Sequence, residues 1–171
     1  MTGPCFVDAN VLVYSIDTTE PLKQQVALAL IERLWGEQRA CTSVQAINEF
    51  YSVVTRKLTH VVAKQEAWAR VEALLEWNPQ PVDAAVLRRA SAIELRYHLS
   101  WWDSLIVAAA RLQHCTLLYS EDLQHGATID GVKILNPFIT QVQEEPAPYS
   151  ALIAAPVSPH RPRGRPRKQA A

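Results

Sequence analysis

The sequence predicts an α/β fold with three layers (α/β/α), in which helices cover both faces of a central parallel sheet. Short apolar segments alternate with longer amphipathic segments along most of the chain. This alternation is typical of parallel sheets, whose strands are buried on both faces and are joined by helices. The length of 171 residues and the hydrophobic content of 49% suffice for one domain with a substantial core.

The first part of the chain supplies two predicted strands and two long helices. "CFV" reads as a short buried strand followed by one or two helical turns over residues 9–15, and "RACT" reads as a second strand. "EPLKQQVALALIERLWGE" carries Pro21 near its start and apolar residues at helical spacing, which predicts a helix between these strands. "VQAINEFYSVVTRKL" has one apolar face and predicts a helix after the second strand.

The second part of the chain continues the alternation up to about residue 143. "VAKQEAWARVEALLEW" and "DAAVLRRASAIELRYH" predict two amphipathic helices, separated by "NPQPV", which has the character of an edge strand. "SWWDSLIVAAARLQH" is apolar over most of its circumference and predicts a central helix. "CTLLYS" and "VKILNP" predict two strands joined through the turn "EDLQHG". Residues 1–143 are therefore predicted to form the domain, and residues 144–171, rich in Pro, Ala and Arg, a disordered tail.

Acidic residues occur where the predicted strands end. Asp8 directly follows the first strand, Glu49 lies in the helix after the second strand, and Asp122 lies two residues past "CTLLY". The carboxyl ends of parallel strands meet at one edge of a sheet, where ligands bind. Asp103, in the first turn of the central helix, joins these acids if that helix begins on the same side. Four converging carboxylates would repel one another unless a hard cation neutralised them, and all-oxygen sites suit Mg²⁺ or Mn²⁺.

Each acid also has a purely structural interpretation. Asp8 could cap the short helix that follows it, and the spacing of Ser100 and Asp103 is that of a capping box. Glu49 could be a solvated residue on the flank of its helix, and Asp122 could serve ordinary turn chemistry. Thr42 and Gln45 share the capping-box spacing, which predicts a helix cap there.

Four motifs together carry a resemblance to a known family. "FVDANVLVYS", "TSVQAINEFYSV", "WWDSLIVAAA" and "LLYSEDLQHG" occur in this order over about residues 4–140. As a set they resemble the PIN-domain ribonucleases of the VapC toxin type. The resemblance implies a three-layer α/β/α domain in which acidic residues gather around one or two Mg²⁺ or Mn²⁺ ions and cleave RNA.

The resemblance also implies roles for individual residues. The acids of the four motifs correspond to Asp8, Glu49, Asp103 and Asp122, the last being the least distinct because Glu121 stands beside it. The polar positions that line or support such a site are Asn10, Thr42, Ser104 and Ser120. The chemistry implied is hydrolysis by metal-activated water, which leaves 5′-phosphate and 3′-hydroxyl ends. A small antitoxin partner and a homodimer are further expectations from the family.

The tail predicts a separate interaction with nucleic acid. Five basic residues lie within residues 161–168, which leaves 12 basic residues against 17 acidic ones in the rest of the chain. The sequence "RPRGRPRK" is similar to the AT-hook, in which arginines enter the narrow minor groove of A·T-rich DNA. The residues predicted to bind are Arg163, Gly164, Arg165, Pro166 and Arg167. The alternative is a generic basic arm that binds phosphates without sequence preference.

Two other classes of protein are compatible with parts of the pattern. A haloacid-dehalogenase-type phosphohydrolase also has an Asp after its first strand, but it usually has a second Asp two residues later, where this chain has Asn10. A non-catalytic DNA-binding regulator would use the domain only to support the basic tail. We regard the metal-dependent ribonuclease, which the family resemblance implies, as the leading hypothesis.

Cysteine, tryptophan and hydropathy patterns complete the prediction. The cysteines Cys5, Cys41 and Cys115 form no CxxC pair and lie in or beside apolar runs, as is typical of buried thiols in a reducing compartment. The chain has neither a recognisable secretory signal nor an apolar run of about 18 residues, so a cytoplasmic protein with no membrane span is expected. Trp101 and Trp102 are expected to pack against a neighbouring helix, although aromatic rings beside Asp103 could also stack on bases.

Overall fold

The computed structural model describes residues 3–139. Within this range the chain forms five strands, which are β1 (Cys5–Val7), β2 (Ala40–Cys41), β3 (Leu117–Tyr119), β4 (Thr128–Ile129) and β5 (Val132–Leu135). The same range contains six helices, which are α1 (Ala9–Tyr14), α2 (Pro21–Gly36), α3 (Val44–Lys57), α4 (Lys64–Leu75), α5 (Ala84–Tyr97) and α6 (Trp101–Leu112). The predicted helices are therefore all present, with shorter strands than the apolar segments indicated.

The strands form one sheet in the order β2-β1-β3-β5-β4. The pairs β1–β2, β1–β3 and β3–β5 are parallel, which confirms the predicted parallel sheet. Strand β4 was not predicted, and it pairs with β5 in antiparallel orientation at the sheet edge. These two strands are joined by Asp130 and Gly131, whose φ angles of 52° and 83° are those of a tight hairpin turn.

The strand order creates a crevice between β1 and β3. From β1 the chain crosses to β2 on one side, and it then returns past β1 to β3 on the other side. Ligands of open α/β sheets bind where the strand order reverses in this way, outside the carboxyl ends of the strands. Val7 and Tyr119 are partners in the ladder, so the residues that follow them, Asp8 and Ser120, emerge side by side.

Helices cover both faces of the sheet, as the three-layer prediction requires. Alternate residues of β1 point to opposite faces, so that Cys5 and Val7 join one core cluster and Phe6 joins another. The first cluster is filled by apolar residues from α1, α2, α3 and α4, and the second mainly by residues from α5 and α6. Helix α6 has an unbroken buried run from Ser104 to Ala110, which explains its nearly uniform apolar character.

Side-chain caps determine where several helices begin. Asp8, Ser43, Asp83 and Ser100 each accept a backbone N–H at the start of a helix. The predicted cap at Thr42 is wrong, because Ser43 caps α3 by accepting from the Ala46 N–H, while Thr42 donates to the strand β1. The predicted edge strand "NPQPV" is reduced to a single parallel bridge between Gln80 and Ser43.

Several predictions concern residues at the margins of the described range. The boundary predicted at residues 143 and 144, the disordered tail and the AT-hook-like segment all lie outside the described residues. Within residues 3–139, every helix is too short or too polar to span a bilayer.

Candidate active site

Asp8 is the buried acid at the carboxyl end of β1, and its two carboxylate oxygens have different partners. Oδ1 accepts a 2.7 Å hydrogen bond from the Ala9 N–H and so caps α1. Oδ2 accepts a 2.7 Å hydrogen bond from the Ser120 hydroxyl, across the crevice between β1 and β3. The capping interpretation and the site interpretation therefore both fit the geometry of this residue.

The electrostatic environment of Asp8 disfavours its charge. The side chain is 8% exposed. Burial raises the pKa of its carboxyl from 3.8 to about 6, against the lowering effect of the hydrogen bonds from Ser120 and Ala9. The negative charges of Glu49 and Asp122 raise this pKa further. Asp8 therefore lies within electrostatic reach of two other predicted site acids.

Asn10 links the ends of β1 and β3. Its Nδ2 lies 3.1 Å from the Ser120 hydroxyl oxygen, 2.9 Å from Asp122 Oδ2 and 3.4 Å from Asp8 Oδ2. Its Oδ1 accepts from the Glu121 N–H at 3.3 Å. The amide thus holds the loop after β3 against the start of α1 and fixes the Asp122 carboxylate beside that of Asp8.

Glu121 and Asp122, which are adjacent after β3, have different partners. Glu121 forms an ion pair with Lys23 of α2, and Lys23 also donates to the Tyr14 hydroxyl at 3.0 Å. Asp122 is exposed and contacts Asn10, while its N–H donates to Ser120 Oγ at 3.2 Å. The side chain that faces Asp8 is therefore Asp122.

Glu49 and Asp103 approach from two helices. The charge of Asp103, in the first turn of α6, acts on the Glu49 carboxyl, so Asp103 lies within electrostatic reach of another predicted site acid. The Glu49 carboxyl is solvent-accessible, and its pKa is raised by desolvation and then by the charges of Asp122 and Asp103. The Gln45 side chain, one turn before Glu49, donates to the Trp102 carbonyl oxygen at 3.2 Å and ties α3 to the first turn of α6.

Asp103 also has the capping role that its spacing predicted. Its N–H donates to Ser100 Oγ at 3.1 Å, and its Oδ2 accepts from the Ser100 hydroxyl at 2.7 Å. Ser104, predicted to support the site, is fully buried and donates to the Ser100 carbonyl oxygen at 2.8 Å. Ser104 therefore acts on the start of α6, one step behind Asp103.

Thr42 supports the site from β2. It is fully buried, and its hydroxyl donates to the Val7 carbonyl oxygen at 2.9 Å. Val7 immediately precedes Asp8, so this bond steadies the backbone at the point where β1 ends. The contact fits the predicted supporting position, although the helix cap expected at Thr42 belongs to Ser43.

The acid cluster, defined as Asp8, Glu49, Asp103 and Asp122, has the donor chemistry of a hard-cation site. Carboxylates are the ligands that Mg²⁺ and Mn²⁺ prefer. None of the three ion pairs found among residues 3–139 involves a member of the cluster. In the same range no three His, Cys, Asp or Glu side chains lie close enough to form a ready-made metal site. The residues fit a divalent cation by chemistry and charge.

Two open cavities meet at Glu49. One, of about 240 Å³, lies toward α1 and includes Asn10, Asp122 and Lys57 in its lining. The other, of about 620 Å³, lies toward α6 and is lined by Gln45, Asn48, Glu49, Val82 and Trp102. Glu49 therefore lies between two open depressions, and Asp122 lines the smaller one.

Sequence reasoning missed some of the residues around the cluster. The ion pair of Lys23 with Glu121 joins α2 to the loop after β3, and Lys57 lines the cavity beside Asn10 and Asp122. No local pattern in the sequence indicated either contact. Of the two tryptophans, Trp101 packs against the core cluster as expected. Trp102 is 67% exposed, so the packing prediction is wrong for this residue.

Comparisons with known proteins identify the family. A family model of the PIN domain matches residues 5–128. The chain belongs to the PIN domain family. No curated protein sequence matches the chain. The PIN domain that the four motifs predicted is therefore confirmed.

Solved structures show the same fold. A toxin–antitoxin complex from Klebsiella pneumoniae has a TM-score of 0.57 at 22% identity, covering 78% of this chain and 97% of the other. DNA-bound VapBC from Salmonella typhimurium has a TM-score of 0.55 at 17% identity, covering 77% and 96%. VapC20 from Mycobacterium tuberculosis, a toxin that cleaves the sarcin–ricin loop, has a TM-score of 0.52 at 17% identity, covering 69% and 89%. At these identities the likeness concerns the fold.

Proposed function

We propose that this protein is a metal-dependent endoribonuclease that acts as the toxin of a toxin–antitoxin pair. The observation that carries the proposal is the acid cluster, in which burial and the neighbouring acids raise the pKa values of Asp8 and Glu49. No member of the cluster has an ion-pair partner among residues 3–139. Groups with perturbed pKa values in a surface depression are candidates for a functional site. A bound divalent cation would compensate the negative charge of the four carboxylates.

The proposed ligands of a Mg²⁺ or Mn²⁺ cofactor are Asp8, Glu49, Asp103 and Asp122. Such a cation supplies positive charge at a phosphodiester and lowers the pKa of water for hydrolysis. Ser120 and Asn10 orient two of the ligands, since they donate to the Asp8 and Asp122 carboxylates. Thr42 holds the backbone before Asp8, and Ser104 holds the first turn of α6 behind Asp103.

The proposed biological setting comes from the structural relatives. One of them is described as a toxin–antitoxin complex, one as DNA-bound VapBC, and one as a toxin that cleaves the sarcin–ricin loop. An RNA substrate and a small antitoxin partner are therefore part of the proposal. A homodimer follows from the same family resemblance. A cytoplasmic location, expected from the cysteine and hydropathy patterns, is proposed with it.

The rival phosphohydrolase mechanism finds less support. It would use Asp8 as a nucleophile and would need a second acid at position 10, where the chain has an amide. That amide donates to Asp122 and Ser120, a role that a carboxylate at the same position could not fill. Trapping a covalent aspartyl-phosphate on Asp8 would reverse this preference.

The proposal is tested by metal removal and replacement. The purified full-length protein, incubated with total cellular RNA, should generate ends bearing 5′-phosphate and 3′-hydroxyl when Mg²⁺ or Mn²⁺ is present. EDTA should abolish these ends, and excess Mn²⁺ should restore them. The control is the Glu49→Gln variant purified in parallel, which excludes a contaminating nuclease. Cleavage that persists in excess chelator would reject the acid cluster as the catalytic site.

A further inference from the structure

The side chain of Trp102 is an exposed aromatic surface beside the acid cluster. It is 67% exposed although it lies in the first turn of the most buried helix of the domain. Its neighbour Trp101 packs against the core, and Asp103 on its other side belongs to the acid cluster. Trp102 therefore contributes little to the core, and its exposure needs another explanation.

The surroundings of Trp102 form a pocket that is continuous with the acid cluster. Gln45, Asn48, Glu49, Val82 and Trp102 line this cavity of about 620 Å³, which we call the base pocket. Glu49 belongs both to the base pocket and to the acid cluster. Glu49 therefore connects the indole of Trp102 to the acid cluster through the lining of one cavity.

The chemistry of the base pocket suits a nucleobase. Trp102 offers a flat aromatic face, and Val82, which is 45% exposed, offers an apolar wall. Asn48 is exposed at the rim, and its amide can both donate to and accept from the edge of a base. Gln45 donates to the Trp102 carbonyl oxygen at 3.2 Å, which fixes the backbone that carries the indole.

We propose that Trp102 stacks on an unpaired base of the RNA, next to the phosphate that lies at the acid cluster. The inference rests on the proposed function of the site and adds a binding position that the carboxylates alone do not provide. Aromatic stacking would hold the strand at the moment when phosphates must approach four acids. Stacking by itself tolerates any base, so preference among bases would fall to Asn48.

The test measures binding to two oligonucleotides by fluorescence anisotropy. Full-length protein carrying Asp122→Asn, in which cleavage is proposed to be blocked, is titrated in Mg²⁺ with a short single-stranded RNA and with an abasic strand of equal length. Any contribution of the basic tail is the same for both strands, because it depends on phosphates. Stacking is worth about 1–3 kcal/mol per base, so the RNA should bind about 5- to 150-fold more tightly than the abasic strand.

The variants identify the residue responsible. Trp102→Ala should remove the preference for the RNA, and Trp102→Phe should retain part of it. Trp68→Ala is the matched control, because Trp68 is 50% exposed on α4 and meets Tyr51 edge-on, away from the base pocket. This control should keep the full preference. An unchanged preference in a folded Trp102→Ala protein would overturn the inference.

Two further outcomes separate this inference from its rivals. If Trp102→Ala converts a dimer to a monomer in sedimentation without changing the preference, the exposed face is an interface between copies, and the base pocket is rejected. If the wild-type protein fails to cleave RNA in Mg²⁺ while Trp102 still provides the preference, the proposed function fails and the base pocket stands. If cleavage requires metal but no preference exists, the base pocket alone fails.

Discussion

The Ser120 hydroxyl donates a 2.7 Å hydrogen bond to Asp8 Oδ2. The two residues are separated by 112 positions in the chain, and the parallel register of β1 and β3 brings them together. Because Val7 and Tyr119 are ladder partners, the first residue after each strand faces the other across the crevice. The acid cluster therefore depends on a strand register as much as on the acids themselves, and the first three predictions below depend on its geometry.

The first prediction separates capping from metal binding at Asp103. Asn at this position keeps an acceptor for the Ser100 hydroxyl, so Asp103→Asn should leave the free energy of unfolding within about 1 kcal/mol. The same change removes a charge from the acid cluster and should reduce cleavage by orders of magnitude. Ser100→Ala is the reciprocal variant, which should lose about 0.5–2 kcal/mol and keep much of the cleavage. Near-normal cleavage by Asp103→Asn would remove this residue from the ligands.

The second prediction concerns the adjacent acids after β3. Glu121 is paired with Lys23, whereas Asp122 contacts Asn10 within the cluster. Glu121→Gln should therefore retain RNA cleavage and Mn²⁺ affinity within about a factor of a few, while Asp122→Asn should lose both by at least 10-fold, as for ligand-shell changes generally. Calorimetric titration of Mn²⁺ into both variants provides the measurement. The reverse order of effects would make Glu121 the fourth ligand.

The third prediction concerns the pH dependence of stability in the metal-free protein. The pKa of Asp8 is raised to about 6 in the folded protein from its ordinary value of 3.8. The folded state therefore holds the proton more tightly than the unfolded state. The stabilising contribution is complete below about pH 4 and is lost as the pH rises through about 6. Relative to the wild type, Asp8→Asn should therefore gain up to about 3 kcal/mol between pH 4 and pH 7.5.

Urea unfolding of both proteins in EDTA measures this difference at each pH. The comparison of slopes removes any constant loss from altered contacts with Ser120, because that loss is the same at both pH values. Saturating Mg²⁺ at pH 7.5 should stabilise the wild type more than the variant, since only the wild type retains the charge. A difference in the free energy of unfolding that does not change with pH would mean that the pKa of Asp8 is not raised in the folded protein.

The fourth prediction addresses the basic tail, for which DNA binding remains a proposal. Removal of residues 160–171 should leave RNA cleavage measurable and weaken binding to A·T-rich duplex. Arg165→Ala and Lys168→Ala remove the same charge, so a generic arm predicts equal losses. An AT-hook predicts that Arg165→Ala lowers the affinity for duplex DNA more than Lys168→Ala does, and only when the duplex is A·T-rich. Equal affinity of the full-length protein for A·T-rich and G·C-rich duplexes would reject the hook.

The sequence predicted the layers and the placement of the acids because both depend on periodic patterns. Apolar strands and amphipathic helices locate the sheet, and the carboxyl ends of parallel strands must share one edge. The hairpin that creates β4 had a local signal, since Asp-Gly favours a tight turn, but a two-residue strand lacks the alternation by which strands are recognised. Pairing with the longer β5 supplies what the sequence of β4 lacks.

Details that depend on neighbours distant in sequence were not predictable. Thr42 and Ser43 are both competent caps, and the position of β1 decides between them, because Thr42 is engaged by the Val7 carbonyl oxygen. Trp101 and Trp102 are consecutive residues of α6 and therefore point in directions about 100° apart around the helix axis. This difference places the Trp101 ring against the core and the Trp102 ring in solvent. The pairing of Lys23 with Glu121 likewise requires the folded crossover from β1 to β2.

The two carboxylate oxygens of Asp8 have different partners, which affects the choice of an inactive variant for structures with bound RNA. Oδ1 caps α1 and Oδ2 receives Ser120, so replacement by Ala would remove a helix cap together with the proposed activity. Glu49 is solvent-accessible on α3, and Glu49→Gln preserves the volume of the side chain. A trapped complex prepared with Glu49→Gln would retain the crevice between β1 and β3 as the RNA meets it.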